Sequence, residues 1–325
     1  MNQDRLQVGL LGCGTVGTEV ARLLAEDPRL AARFEIAAIV VREPAKPRAV
    51  TIDRRLLATN PIAIAARPDV DVVIEVMGGL IPTTDAVTAA LSRGAPVVSA
   101  NKTLFAEHGP WLRDLAVRCG TDVRFEAAVA GAVPVVQILR RLARTDRVVR
   151  IEGVLNGTCN FILSEMQRNG ATFQDAVAIA QQLGYAEADP TRDLDGSDAA
   201  DKIAVLAQLA WGSEASFQDV QRLGIDTLTA HDHRHAQDQG RTWRLVAAAT
   251  ETGCLVVEPR LLALDHPFAR LTGPENAVTI TGEYTGALTL AGPGAGGLAT
   301  ASAILADLDH VATAQPTRAQ LAPLA

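Results

Sequence analysis

Apolar positions in this chain follow two rhythms. Short, nearly unbroken runs at Leu6–Leu11, Phe34–Val41, Val70–Met77 and Ala95–Ala100 have the length and continuity of strands buried on both faces. Between them, Val20–Leu24 and Asp85–Leu91 follow the helical period. Strands alternating with helices predict βαβ units and a parallel sheet covered on both faces. Arg124–Val129 reads as one more strand, followed by a helix over Val135–Leu142. Past about residue 145 the pattern changes. Ile151–Leu155 is a strand, and Asn156-Gly157-Thr158-Cys159-Asn160 leads into a helix through Phe161, Ile162 and Met166. Thr172 to Asp175 is a capping box, Ala176, Ile179, Ala180 and Leu183 form an apolar stripe, and Gly184 is the stop. Arg244–Thr250, Cys254–Leu262 and Ala277–Tyr284 predict antiparallel strands, and Thr300–Leu308 a last helix before a frayed tail from Gln315.

The pattern predicts an α/β protein, with a Rossmann-type doubly wound parallel sheet and a second, α+β domain. The expected division is a dinucleotide-binding domain over 1–145, a substrate-binding domain over 146–290, and a return segment over 291–325 that packs on the first domain. A length of 325 residues suits two cores better than one.

A net charge of −7 argues against nucleic acid or an anionic membrane as the main partner. No apolar run reaches the roughly 20 residues of a membrane-spanning helix. The start, Met1-Asn2-Gln3-Asp4-Arg5, lacks a signal-peptide core, so a cytoplasmic protein is expected. Cys13, Cys119, Cys159 and Cys254 are scattered without a C-x-x-C pair, which predicts buried free thiols rather than a zinc site or a disulfide framework.

The first strand runs into Gly12-Cys13-Gly14-Thr15-Val16-Gly17 and then a helix. In that context the glycines allow a tight turn, close backbone approach to a pyrophosphate, and free amides at a helix N-terminus to receive it. The second strand ends at Arg42, with Glu43, Lys46 and Arg48 just beyond. Cations here suit the 2′-phosphate of NADP, while Glu43 keeps NAD open; the alternative is a solvated basic turn. Ser99-Ala100-Asn101-Lys102 closes another strand at the end where ligands sit in such sheets, so Lys102 is either functional or an ordinary surface lysine. Glu126 and the turn Ala130-Gly131-Ala132 could hold a hard cation through oxygens, or form a plain tight turn. His231, His233 and His235 alternate without a pattern that would make them metal ligands.

Tyr185 to Lys202 holds six carboxylates and one lysine around Pro190 and Gly196. Ser197 or Asp198 can cap the helix whose stripe is Ile203, Leu206, Ala207 and Ala210, and Asp198 and Lys202 then share one face. On spacing alone this is a solvated acidic loop or a lysine held by carboxylates for chemistry. Gly292-Pro293-Gly294-Ala295-Gly296-Gly297 reads as a second glycine-rich helix entry, either a plain one or one that returns the chain to the first domain with amides directed at a cofactor.

Taken together, these motifs resemble homoserine dehydrogenases. The most specific match is Ala180-x-x-x-Gly184-Tyr-Ala-Glu187-Ala-Asp189-Pro190-x-x-Asp193-Leu-x-Gly196-x-Asp198-x-x-x-Lys202, and the other motifs stand in the family's order along nearly the whole chain. The resemblance implies NAD(P)-dependent interconversion of L-homoserine and L-aspartate 4-semialdehyde in threonine, methionine and isoleucine biosynthesis. It implies Lys202 and Lys102 as catalytic lysines, and Glu187, Asp193, Asp198, Asn156, Gly157 and Thr158 at the substrate. It places Gly12, Gly14, Thr15, Val16, Gly17, Arg42, Ser99, Lys102, Gly294 and Gly296 at the cofactor. Glu126, Val129, Gly131 and Val133 match the family's site for a monovalent cation, Na+ or K+. A homodimer formed through the strands after residue 245 is implied, in a short form without the ACT regulatory domain of longer relatives. The competing readings are another semialdehyde dehydrogenase, for which Cys159 is the available thiol, and a non-catalytic NADP-binding sensor.

Overall fold

The computed structural model describes residues 5–314 apart from 49 and 51. The chain's start and the tail from Gln315 lie outside the described residues. The chain forms two units, one of 1–128 with 296–325 and the other of 129–295.

In the first unit the elements are β1 (Leu6–Leu11), α1 (Thr15–Glu26), α2 (Pro28–Ala31), β2 (Phe34–Val40), β3 (Leu57–Ala58), α3 (Pro61–Ala65), β4 (Val72–Glu75), α4 (Thr83–Ser92), β5 (Val97–Ser99), α5 (Lys102–Arg118) and β6 (Val123–Arg124). All strand pairs are parallel, in the order β3-β2-β1-β4-β5-β6. The order reverses between β1 and β4, the crevice where such sheets bind ligands at their carboxyl ends. Val8, Leu10, Val72, Ile74 and Val98 are fully buried, as unbroken apolar runs in a covered sheet require.

The expected strand over Arg124–Val129 is cut short after Arg124. The chain turns instead into a 3-10 segment, Glu126–Ala128, and the Glu126 N–H donates to Asp307 Oδ2 at 2.8 Å rather than to a neighbouring strand. Because β6 is the last strand of its sheet, nothing further along offers it a ladder.

The second unit holds α6 (Val135–Thr145), β7 (Val148–Val154), α7 (Gly157–Asn169), α8 (Phe173–Gln182), α9 (Thr191–Leu194), α10 (Ser197–Trp211), β8 (Gln221–Arg222), α11 (Ala230–Asp238), β9 (Arg241–Thr250), β10 (Leu255–Ala263), β11 (Glu275–Gly282) and β12 (Gly286–Pro293). Its sheet runs β12-β11-β7-β9-β10-β8, antiparallel except for the β10–β8 pair, with α6, α7 and α10 packed on it. Strand β12 was not legible in the sequence, because its Gly292 and Pro293 read as part of a turn. The last helix, α12 (Gly297–Ala314), belongs to the first unit and packs along α1. No helix among the described residues is long and apolar enough to cross a membrane.

Two smaller expectations are corrected. The N-cap of α10 is Gly196 at φ 81°, not Ser197 or Asp198; the Ser197 N–H donates to Asp195 Oδ1 at 2.8 Å, which leaves Asp198 for another partner. Of the four thiols only Cys159 is buried, whereas Cys254 is exposed.

Candidate active site

At the end of β1 the three glycines are each required for a different reason. A Cβ on Gly12, whose φ is +108°, would lie 2.8 Å from Val76 O, and one on Gly17 would lie 2.2 Å from Gly12 O. Around Gly14 nothing lies within 4 Å, so that position is open to an approaching ligand. Thr15 and Val16 begin α1, whose N-cap is Gly14, with no side-chain cap and no acidic residue in the first turn. Uncapped amides at the positive end of a helix attract an anion. Of this turn, Gly12, Cys13 and Gly14 line a cavity of about 430 Å³, which Val40, Val41, Arg42 and Lys46 line as well. Arg48 also lines it, but its guanidinium is bonded to the carbonyls of Glu43 (2.8 Å), Pro44 (3.3 Å) and Lys46 (2.8 Å), while Arg42 and Lys46 are exposed. The shape and charge fit a dinucleotide.

The neighbouring strand ends carry a residue that the sequence reading missed. Glu75, the last residue of β4, is fully buried. Its carboxylate accepts from the Ser99 hydroxyl at 2.5 Å and from the N–H groups of Met77 (2.8 Å) and Gly78 (3.2 Å). Ser99 Oγ in turn accepts from Asn101 N–H at 3.0 Å, and the Asn101 amide donates to Gly79 O and caps α5 by accepting from Leu104 N–H. Burial pushes the Glu75 carboxyl above its usual value, against the opposing pull of these hydrogen bonds. Glu75 therefore ties the Met77–Gly78 wall of the cavity to the turn that presents Lys102, the first residue of α5. A lone Glu closing the apolar run Val72-Val-Ile-Glu75-Val-Met77 was the available signal.

In the second unit, Asn156 caps α7 through its Oδ1, which accepts from Cys159 N–H at 2.8 Å. The same side chain donates through Nδ2 to Asp193 Oδ1 (2.7 Å) and Asp198 Oδ2 (3.0 Å). Asp198 Oδ2 is also 2.8 Å from Lys202 Nζ, one turn along α10, with side-chain exposures of only 5% and 11%. Lys202 Nζ donates in addition to Leu155 O at 2.7 Å. A buried pair of this kind contributes little net stability, but removing one partner typically costs about 3–5 kcal/mol. The lysine is thus held by a carboxylate and a carbonyl, and an ammonium has three N–H donors to use.

The surroundings of this cluster explain other fixed positions. A Cβ on Gly157 would lie 2.5 Å from Pro274 O, so the α7 entry tolerates no side chain there. Thr158 Oγ1 donates to Tyr185 O at 2.7 Å, tying α7 to the acidic stretch. Arg192 reaches buried Asp201 at 2.7 Å, pinning α9 and its Asp193 to α10. Glu187 is exposed, and no hydrogen bond or ion pair joins its carboxylate to the Asp193–Asp198–Lys202 group. The Cys159 thiol donates to Asp193 O at 3.1 Å, and burial, reinforced by Asp193 and Asp198, pushes its pKa well up. A thiolate nucleophile does not form readily in such surroundings.

The residues expected at a cation site are divided between the two units. Glu126 is 1% exposed in the first unit; Val129, Gly131 and Val133 lie in the second. Gly131 has φ +58°, and a Cβ there would meet Gly294 C at 2.5 Å. Gly294 is buried, while Gly296, at φ +107°, is exposed just before α12. His231 and His235 lie one turn apart on α11, and no group of His, Cys, Asp or Glu among the described residues is arranged to hold a metal ion.

A glycine-turn dinucleotide pocket on a parallel sheet, together with a lysine held by a carboxylate in a second unit, defines a nicotinamide-dependent oxidoreductase. Comparison with known proteins narrows the class. Residues 134–308 match the homoserine dehydrogenase family and residues 12–126 match the homoserine dehydrogenase NAD-binding domain. The chain is 40% identical over 317 residues to a homoserine dehydrogenase of Synechocystis sp., covering 94% of this chain and 73% of that one. It is 42% identical over 314 residues to that of Corynebacterium glutamicum, covering 93% and 70%. Among solved structures, a homoserine dehydrogenase from Thiobacillus denitrificans superimposes with a TM-score of 0.86 at 36% identity, covering 96% of this chain and 76% of that one. A hyperthermophilic archaeal homoserine dehydrogenase in complex with NADPH gives 0.81 at 26% identity, covering 96% and 99%. The chain belongs to the homoserine dehydrogenase family. It is an oxidoreductase acting on the CH–OH group of homoserine with a nicotinamide cofactor.

Proposed function

We propose that Lys202 is the proton shuttle of this reaction and that Lys102 supplies a second cation at the reacting oxygen. The observation that carries this is the Lys202 ammonium fixed by Asp198 at 2.8 Å and by Leu155 O at 2.7 Å. When homoserine is oxidised, its hydroxyl proton passes to the Lys202 amine as hydride leaves the carbon; in reduction the ammonium returns the proton to the developing alkoxide. The bound nicotinamide supplies the hydride acceptor or donor. Asp193 and Asp198, with Glu187 from the exposed loop, receive the substrate α-ammonium, and Asn156, Gly157 and Thr158 shape the substrate end. Lys202→Ala should lower kcat by about 10²–10⁴-fold while cofactor affinity is kept. A variant turning over near the wild-type rate would remove Lys202 from this role.

NADP is the preferred cofactor in this reading, with NAD usable through Glu43. It is supported by exposed Arg42 and Lys46 on the cavity wall, and by the NADPH complex of the archaeal relative. Gly12, Gly14, Thr15, Val16, Gly17 and Ser99 hold the cofactor from the first unit, with Gly294 and Gly296 at the entry to α12. Glu126, Val129, Gly131 and Val133 hold Na+ or K+. The first unit binds the dinucleotide and the second binds substrate and dimerises. Edge strand β12, paired on one side only, supports the association of two copies beyond residue 245. Cytoplasmic placement is part of the same reading. Initial rates of homoserine oxidation with NADP and NAD, each with and without Na+ or K+, test the cofactor and cation, and light scattering tests the dimer.

A further inference from the structure

Asn276 lies in β11 and is completely buried. Its Nδ2 donates to Leu155 O at 3.1 Å, the same carbonyl that accepts from Lys202 Nζ at 2.7 Å. We propose that Asn276 is a positioning residue for Lys202, acting through that shared carbonyl.

The backbone makes such a device necessary. Strand β7 ends at Val154, whose partner across the β7–β11 ladder is Ala277. Leu155 lies one residue past the last rung, so the ladder no longer holds its carbonyl. The Asn276 amide, one residue before Ala277, supplies the missing N–H from a side chain. Its orientation is fixed by chemistry, because turning the amide over would set Oδ1 against Leu155 O. Packing fixes it too: a Cβ on Gly294 would lie 2.1 Å from Asn276 Cγ, so the backbone of Gly294 closes directly over the amide.

Stability alone does not explain an asparagine here. Its Oδ1 is buried without a hydrogen-bond partner, and a buried polar atom left unmatched weakens a fold where an apolar residue of the same shape would not. What the asparagine contributes is the Nδ2 donor. With the carbonyl anchored, Lys202 Nζ is held between two fixed acceptors, Asp198 and Leu155 O, and its remaining N–H is aimed rather than free to rotate. Deleting Nδ2 leaves the carbonyl held by the lysine alone, so the ammonium is less well placed when the proton moves.

The inference rests on Lys202 as the proton shuttle, and a double-mutant cycle separates the two. Asn276→Ala removes the amide, and Asn276→Leu fills its volume without a donor. Each should lower kcat by about 10-fold while KM for homoserine and for the cofactor stays within about 2-fold. On a Lys202→Ala background, Asn276→Ala should change the residual rate by less than about 2-fold, because the group it positions is gone. A folded Asn276→Leu enzyme with wild-type kcat, or an equal loss with and without Lys202, overturns the positioning role while leaving Lys202 in place. A Lys202→Ala enzyme of near wild-type rate would instead remove the proton-shuttle reading itself.

Discussion

His233 makes the stability of the second unit depend on pH in a calculable way. It lies on α11, 1% exposed, and neither ring nitrogen has a hydrogen-bond partner. Burial, with the adjacent Arg244 guanidinium and against a weak opposing pull from Asp232, lowers its pKa from 6.5 to about 4. Arg244 is itself buried, bonded to the carbonyls of Trp243, Phe268, Ala269 and Leu271 and to the Thr242 hydroxyl. The folded chain therefore keeps His233 neutral where the unfolded chain has already taken up a proton. Because the unfolded state binds more protons below 6.5, stability is full above that value and is lost as pH falls toward about 4. At about 1.4 kcal/mol per pH unit the full loss is about 3 kcal/mol, of which about 2 kcal/mol is gone by about pH 5. The measurement is urea unfolding at a series of pH values, wild type against His233→Leu, which has similar bulk and no titration. The wild type should lose about 2 kcal/mol relative to the variant between about pH 8 and about pH 5. Curves that stay parallel would show that His233 titrates alike in both states and refute the reasoning.

Glu75 has the opposite sign. Its folded pKa is raised above 4.5, so the ionised form is destabilising at neutral pH, and stability returns as pH falls from the raised value toward 4.5. In thermal unfolding, wild type should gain on Glu75→Gln over that interval; a constant difference would count against a strained carboxylate. Gly17→Ala puts a methyl 2.2 Å from Gly12 O. It should cost about 1–3 kcal/mol of stability and weaken cofactor binding by at least about 10-fold in fluorescence titration, and unchanged affinity would show that the turn can yield. Arg42→Ala should raise KM for NADP by about 10-fold or more with little effect on NAD, as loss of a charge-assisted phosphate contact requires; equal effects on both cofactors would move the 2′-phosphate elsewhere.

Local spacing determined a large part of this protein. Unbroken apolar runs required a covered parallel sheet, and Gly12, Gly14 and Gly17 required a turn that admits a pyrophosphate. Asp198 and Lys202, four apart on a helix, had to meet, since a helix turns every 3.6 residues whatever surrounds it. Where neighbours outside the local stretch decide, the sequence was silent or misleading. The segment after Arg124 looks like a strand and becomes a 3-10 turn because β6 has no further neighbour and Asp307 takes the Glu126 N–H. Gly292 and Pro293 look like a loop and close an edge strand because β11 supplies the ladder.

At the site the division is the same. The sequence determined which residue types stand near one another along the chain: a lysine among carboxylates, and glycines before a helix. Only the tertiary structure decided that Asn156 bridges Asp193 and Asp198, that Glu75 is buried beneath Ser99, that Glu187 stays outside the bonded cluster, and that Asn276 reaches the carbonyl holding Lys202. Those partners lie 24 to 121 residues apart. No periodicity links positions at such separations; their meeting is set by which strands pair and which helices pack over them, and so appears only once the whole chain has folded.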